Sequence, residues 1–353
     1  MPALASVFLL AVHATACAQA ARTAPDSSRP VGFRVDRLSD PARPFLLEPG
    51  GEPGPRPIQA YVWYPAADPC PAPMSWGDVV EWVGVEASHE ALGAARADAG
   101  RSEFVAWMGS LGADTSAARE GLRFPLRACA GVAPDSGLHP LVLLAVGRDD
   151  SPAMHAILAE ALAAAGRVVL SSPGLGARER PMQFDAADIT AQVDDLKALA
   201  THAASLEFVD PSRPALVGFS YGGGSAILYA MADTTASAVV SLDGSIGFAD
   251  RVPSYVALPG WRPERARAPV LHLRAPDDQR RDLSALESLA AAVRVEIVEG
   301  ATHHDFTTLG PISANGLAVP AIGLDDSDGD ELHAAIVRAI RMFLEEHSPS
   351  GTN

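Results

Sequence analysis

From Leu141 onward, short apolar runs alternate with longer stretches of helical spacing. Leu141 to Val146 is continuously apolar, as expected of a strand buried on both faces. Pro152 to Ala165 reads as a helix, with Ser151 placed to cap it and Pro152 in its first turn, where no N–H is missed. Arg167 to Ser171 is the next strand. Ala186 to Leu206 follows as a long helix with Ile189, Val193, Leu196 and Leu199 along one face. Four more strand-like runs are Arg213 to Phe219, Ala238 to Leu242, Pro269 to Leu273 and Val293 to Val298. A helix is expected over Ser225 to Ala232, and an amphipathic one over Asp330 to Glu346. This alternation predicts the α/β class, a mostly parallel sheet flanked by helices.

The N-terminal part differs. Val31 to Leu38 alternates apolar and charged residues, and Ile58 to Tyr64 is rich in strand formers until Pro65. The two read as an antiparallel hairpin at the sheet edge, with the Pro- and Gly-dense stretch Pro41 to Pro57 as loop. Residues 72–134 show only loose helical spacing, over Val79 to Trp82, Glu90 to Ala99 and Glu103 to Leu111. This stretch is expected to be a helical insertion that covers a site. Its Trp76, Trp82 and Trp107 would either fasten it to the core or line that site.

At 353 residues, 48% hydrophobic and 20% charged, the chain can bury a large core. A formal net charge of −16 leaves no phosphate-neutralising patch, so no nucleic-acid partner is expected. Leu4 to Val12 is apolar and Ala18-Gln19-Ala20 offers small residues, so residues 1–20 read as an export signal, too short to span a bilayer. Cys17 offers a second possibility, lipid attachment, although Ala14-Thr15-Ala16 lacks the usual bulky apolar residue. A leader and edge strand over 21–57, a main domain over 58–347 and a tail over 348–353 complete the expected layout. With Cys17 removed, Cys70 and Cys129 form an even pair, read as a disulfide in an exported protein.

The chemistry gathers at Gly218-Phe219-Ser220-Tyr221-Gly222, between an expected strand and helix. Gly-x-Ser-x-Gly in that context is a nucleophile elbow, with Gly218 and Gly222 where side chains would collide. It sets Ser220 at a helix N-terminus, which suits a developing oxyanion. Other strand ends carry Asp243, the pair Asp277 and Asp278, and the pair His303 and His304. The order Ser, Asp, His supplies a nucleophile, a carboxylate and an imidazole base. The residues themselves leave both the acid and the histidine open. His303-His304-Asp305 is a poor metal set because neighbouring side chains diverge. The carboxylates of Asp325 to Glu331 are out of phase with a calcium loop, and Asp328 or Asp330 is placed to cap the last helix. No metal and no cofactor are expected.

Pro140 to Gly147, Gly218 to Gly223, Ser241 to Gly244, Thr302 to Phe306 and the opening Tyr61 to Pro65 together resemble the α/β-hydrolases. Within them the likeness is to the platelet-activating-factor acetylhydrolase and dienelactone-hydrolase-like branch, over residues 31–347. The resemblance implies an exported serine hydrolase that cleaves carboxylic esters through an acyl-enzyme, on a small-molecule or lipid-like substrate. It implies Ser220 as nucleophile and His303 as base, since His303 has the branch's His-x-x-Phe spacing with Phe306 beneath. Asp243 is the acid in this branch, whereas the wider superfamily would use Asp277 or Asp278. The oxyanion donors would be the backbone N–H groups of Tyr221 and Arg148. Val146 stands where a histidine is usual, which puts that loop's support in question, and the Arg148 guanidinium could enter the site. Alternatives are a peptidase or acyltransferase on the same fold, or a non-catalytic binding protein.

Overall fold

The computed structural model describes residues 9–11, 29–47, 50–276, 280–324 and 328–347. Ten strands make one sheet: β1 (Leu9–Ala11), β2 (Val31–Phe45), β3 (Gly54–Pro65), β4 (Ala128–Ala130), β5 (His139–Ala145), β6 (Val168–Ser172), β7 (Val209–Phe219), β8 (Ala238–Leu242), β9 (Val270–Arg274) and β10 (Val293–Ile297). Their order is β1-β10-β9-β8-β7-β5-β6-β3-β2-β4. The strands from β5 to β10 run parallel, and β3 joins them antiparallel through β6. Of the segment expected to be an export signal only Leu9–Ala11 is described, paired in parallel with β10. Its other residues, Cys17 among them, lie outside the described residues.

Side chains along the central strands alternate between two cores. In β5, Val142 and Leu144 face one core, while Leu141 and Leu143 face the other. That explains the unbroken apolar run, because neither face of the strand sees water. One core is covered by helix α2 (Ala156–Ala164) and by α5 (Gly329–Glu346), which contributes Ile336, Ile340 and Phe343. The other is covered by α3 (Ala186–Ala203) and α4 (Tyr221–Ala232). Since β6 lies on one side of β5 and β7 on the other, the chain reverses direction across the sheet at β5. Crevices for ligands open beyond the carboxyl ends of strands at such a point.

Three expectations need correcting. The stretch Pro41 to Pro57 is not all loop, because β2 continues to Phe45 and β3 begins at Gly54. Pro41 and Pro44 are tolerated because the ladder is irregular between Asp40 and Pro44, where missing N–H donors cost little. Glu90 to Ala99 and Glu103 to Leu111 are one helix, α1 (Ala94–Ser110), not two. Gly100 inside it marks a close crossing: a Cβ there would lie 2.6 Å from the Glu81 carbonyl oxygen, and one on Gly84 would lie 2.1 Å from that of Arg96. The helix expected over Ser225 to Ala232 begins earlier, at Tyr221.

The return from residues 72–134 to the sheet is fixed at β4. Cys129 in β4 is bonded to Cys70, 59 residues earlier. The buried Glu160 carboxylate of α2 accepts the N–H groups of Arg127 at 2.7 Å and Ala128 at 3.2 Å. Burial pushes this carboxyl up to about 7, against the lowering effect of those two N–H groups.

Two measurements follow from β4. Replacing Cys129 by Ser is expected to lower unfolding free energy by up to ~4 kcal/mol on the loop-entropy account, read by denaturant titration of both forms. Glu160 keeps its proton to higher pH folded than unfolded, so ionising it costs stability increasingly from its ordinary 4.5 up to about 7. Glu160→Gln keeps an acceptor oxygen and is expected to exceed the parent's stability above neutrality by up to about 3 kcal/mol, with the difference closing towards acid. Melting curves across pH check the sign.

Candidate active site

β7 ends at Phe219, and α4 begins at Tyr221, so the whole turn falls on Ser220. Its backbone takes φ 51° and ψ −116°, a conformation that suits glycine rather than serine. The surroundings leave no room for neighbouring side chains. A Cβ on Gly218 would lie 2.2 Å from the Gly222 carbonyl oxygen, and one on Gly222 would lie 2.2 Å from that of Ala145. The next two positions are no freer. A Cβ on Gly223 would lie 2.7 Å from the Gly244 Cα and one on Gly224 would lie 2.1 Å from the Tyr255 ring, so the helix opens on three glycines despite their low propensity. Ser245 braces the turn by donating from its backbone N at 2.8 Å and from Oγ at 3.1 Å to the Ser220 carbonyl. Tyr255 Oη donates to the Tyr221 carbonyl at 3.0 Å.

Asp243 follows β8 and is itself at positive φ, 42°. His303 opens a single helical turn, His303–Phe306, beyond β10. Thr302 caps this turn, with its N and Oγ1 donating to Asp305 at 2.7 and 2.8 Å. Phe306 is fully buried beneath, and His333 of α5 contacts the Asp305 carbonyl at 3.1 Å. The structure brings three of the expected residues into one line. His303 Nε2 lies 3.1 Å from Ser220 Oγ, and Nδ1 lies 2.5 Å from Asp243 Oδ2. His304 is beside them, ring centroid 5.3 Å from that of His303, but touches neither Ser220 nor Asp243 by a hydrogen bond. Asp277 and Asp278 lie outside the described residues.

Burial pushes the Asp243 carboxyl up. The hydrogen bond and charge of His303, the charge of Arg281 and the N–H of Ala275 outweigh burial and hold the carboxyl well below the usual carboxylate range. An ionised carboxylate only accepts, so Nδ1 of His303 carries its proton and Nε2 turns a lone pair to the serine hydroxyl. Burial and the neighbouring His303 charge hold His304 down at about 4, so it is neutral near pH 7. The arrangement can take a proton from Ser220 and stabilise the resulting imidazolium.

The two backbone N–H groups expected as oxyanion donors, those of Tyr221 and Arg148, carry no acceptor among the described residues. Tyr221 N is the first N–H of α4, which no intrahelical carbonyl satisfies. The loop that carries Gly147 and Arg148 is supported without the usual histidine. Gln192 Nε2 donates to the Val146 carbonyl at 3.0 Å, and Asp149 Oδ1 accepts from Met182 N at 2.7 Å. The Arg148 guanidinium lies over the Phe184 ring, 5.7 Å from its centroid, on the wall of a cavity of about 1090 Å³. That cavity also holds Ser220, Asp243 and His303, with Phe104 and Trp107 from residues 72–134 on its wall. Trp76 is the anchor: fully buried, its Nε1 donates to the Ala153 carbonyl at 2.7 Å.

The site contains residues the sequence does not advertise. Arg281 donates to Asp243 Oδ1 at 2.8 Å. Glu86, buried, accepts from Tyr61 Oη at 2.8 Å and Ser151 Oγ at 2.5 Å, and pairs with Arg180 at 3.2 Å. No spacing rule links these residues, which meet only through the fold. Among the described residues no group of His, Cys, Asp or Glu could hold a metal ion, and no helix is long and apolar enough to cross a membrane.

The architecture has close counterparts among solved structures. A ferulic acid esterase from Streptomyces cinnamoneus superposes with a TM-score of 0.65, covering 93% of this chain and 94% of that one, at 20% identity. The chain has the α/β-hydrolase fold. Partial matches include a dienelactone hydrolase from Anabaena variabilis (TM-score 0.42, 22% identity, 61% of this chain and 89% of that one). Another is a monoacylglycerol lipase from Paleococcus ferrophilus (0.41, 18% identity, 60% and 97%). No family model and no curated protein matches the sequence. In α/β-hydrolase terms, Ser220 occupies the elbow, Asp243 follows the strand after it and His303 follows the last parallel strand.

The strain at Ser220 is measurable. Ser220→Gly is expected to be more stable than Ser220→Ala by about 1 kcal/mol, because glycine adopts this backbone without penalty even after its larger unfolded-state entropy is counted. Equal denaturation midpoints for the two variants would show the turn to be unstrained.

Proposed function

We propose that this chain is a serine hydrolase of carboxylic esters, with Ser220 as nucleophile, His303 as general base and acid, and Asp243 as the orienting carboxylate. The observation that carries the reading is the continuous Ser220–His303–Asp243 hydrogen-bonded line opening into the cavity. Ser220 Oγ attacks the ester carbonyl carbon while its proton passes to His303 Nε2. The carbonyl oxygen takes the negative charge and is held by Tyr221 N–H and Arg148 N–H. Collapse expels the alcohol, which leaves with the proton from His303, and an acyl-enzyme remains on Ser220. Water, deprotonated by His303, then releases the acid and restores the serine. Asp243 stays ionised throughout and favours the imidazolium.

The cavity wall supports an aromatic or otherwise apolar acyl group. Phe104, Trp107, Phe184, Phe219 and Phe248 line it. One solved structure that matches over nearly the whole length of both chains is a ferulic acid esterase, which points in the same direction. Residues 72–134 supply two of these rings and act as the cap that shapes substrate choice. Export is supported by the apolar N-terminal stretch and by the Cys70–Cys129 bond, which belongs in an oxidising compartment.

Hydrolysis of p-nitrophenyl acetate, butyrate and octanoate and of methyl ferulate tests this. Wild type is expected to turn over at least one, Ser220→Ala to fall to background, and Asp243→Asn to lose about 10³–10⁴ in kcat by placing the wrong tautomer at His303. Asp277→Asn and Asp278→Asn are expected to stay near wild type. No turnover, together with no labelling of Ser220 by an active-serine phosphonate, would favour a non-catalytic binding protein.

A further inference from the structure

Arg281 is a buried cation placed against the carboxylate of the triad. Its side chain is 6% exposed and that of Asp243 is 2%. The two carboxylate oxygens are divided. Oδ1 takes Arg281 Nη2 at 2.8 Å and Ala275 N at 3.0 Å, and Oδ2 takes His303 Nδ1 alone. The guanidinium is fixed in turn. It lies over the Phe248 ring, 4.0 Å from the centroid, and Nη2 also reaches the Ala275 carbonyl at 3.3 Å. Arg281 and Phe248 form a backbone bridge, flanked by Ala249 N to Arg280 O at 2.8 Å and Asp282 N to Gly247 O at 3.0 Å. The Phe248 ring also meets His303 edge-on at 6.4 Å. The segment after β9 therefore clamps the acid, and the bridged segment after β8 borders the base through Phe248.

A neutral donor could satisfy Oδ1 as well as an arginine does, so the charge calls for a reason. A fixed positive charge behind Asp243 opposes a second one on His303. We propose that Arg281 is a positioning residue of the triad: it holds Asp243 by Oδ1, keeps Oδ2 turned to His303, and opposes the imidazolium so that His303 stays a free base in mildly acidic medium. This rests on the reading of Ser220, His303 and Asp243 given above. Other titratable or charged groups around this cluster are His304 on the same turn, Asp150 from the loop after β5, His272 and Arg274 of β9, and Arg280, 5.7 Å from the Phe248 ring centroid. His304 and His272 are both held at about 4 by burial first, so they stay neutral across the range that matters.

The test compares wild type, Arg281→Lys and Arg281→Gln, following kcat and KM on p-nitrophenyl acetate as a function of pH. Arg281→Gln is expected to lower kcat about tenfold with KM within about twofold, and to move the acidic limb of kcat/KM up by about one pH unit. Arg281→Lys keeps the charge and is expected to leave the limb in place, with kcat within about threefold of wild type. A Gln profile that superimposes on wild type overturns the proposal, as does an unshifted limb with equal kcat losses in Lys and Gln. If Arg281→Gln does not fold, Phe248→Leu, which removes the ring under the guanidinium, takes its place with a smaller shift in the same direction. An unmoved limb there overturns the proposal too. Should wild type hydrolyse no ester and Ser220 take no phosphonate, the serine-hydrolase reading fails separately. The NMR titration of the His303 ring in wild type and Arg281→Gln then decides the arginine: a rise supports it and no shift overturns it.

Discussion

The rest of the structure depends on how closely backbone approaches backbone at the turn after β7. Ser220 is forced to positive φ because β7 must stop and α4 must start with no residues to spare. The turn is then enclosed on three sides: by the Ala145 carbonyl from β5, by Gly244 after β8, and by the ring of Tyr255. Four glycines are needed, and each meets a different neighbour. Close packing of this kind is stiff, since a misplaced Cβ cannot be absorbed by side-chain movement when its opponent is backbone. Stiffness is what the proposed chemistry would need, because the serine oxygen would have to stay aligned with His303 while its proton moves.

Around that turn the charges are arranged by burial more than by number. The chain is strongly acidic overall, yet Asp243 is kept ionised by its hydrogen bond with His303, the charge of Arg281 and a backbone N–H. An unpaired carboxylate at this depth would take up a proton and lose its grip on the imidazole. The same logic makes His304 a neutral bystander. It is adjacent in sequence and close in space, but burial and the charge of His303 keep it unprotonated.

Much of this was legible in the sequence, and the parts that were not share a cause. The strands from β5 to β10 announce themselves as apolar runs because both faces are buried. Ser220 is marked by its glycines, whereas the residues alone leave His303 and His304 open and only the family resemblance, through its His-x-x-Phe spacing, favours His303. What misled were residues whose local preference is overruled by contacts far along the chain. Gly100 reads as a break in a helix, but it is the point where α1 crosses the Glu81 turn. Gly222 to Gly224 read as loop, but they are helix for want of space. Pro44 and Pro55 read as loop, but they face each other across an irregular ladder. Arg281 could not be found at all, because its partner lies 38 residues away and nothing in the spacing joins them.

The segment 72–134 shows why local spacing fails there. It is bonded to the site's own framework at several separate points. Trp76 reaches the Ala153 carbonyl and Glu160 holds the N–H groups of Arg127 and Ala128. Glu86 receives Ser151, the residue whose Oγ also caps the turn at Pro152 by accepting from Ala153 N at 3.1 Å. Ser151 lies three residues beyond Arg148, so the carboxylate that ends the Glu81–Val85 turn is tied to the same loop as the proposed oxyanion donor. Moving this segment as a rigid lid would pull Glu86 away from Tyr61, Ser151 and Arg180 and leave their polar groups without it, which opposes such a motion. Several apolar side chains of the segment, among them Val79, Phe104, Val105, Met108 and Leu122, also pack into the same core as the sheet. Changes in substrate choice are therefore expected to arise from side chains such as Phe104 and Trp107 on a fixed wall.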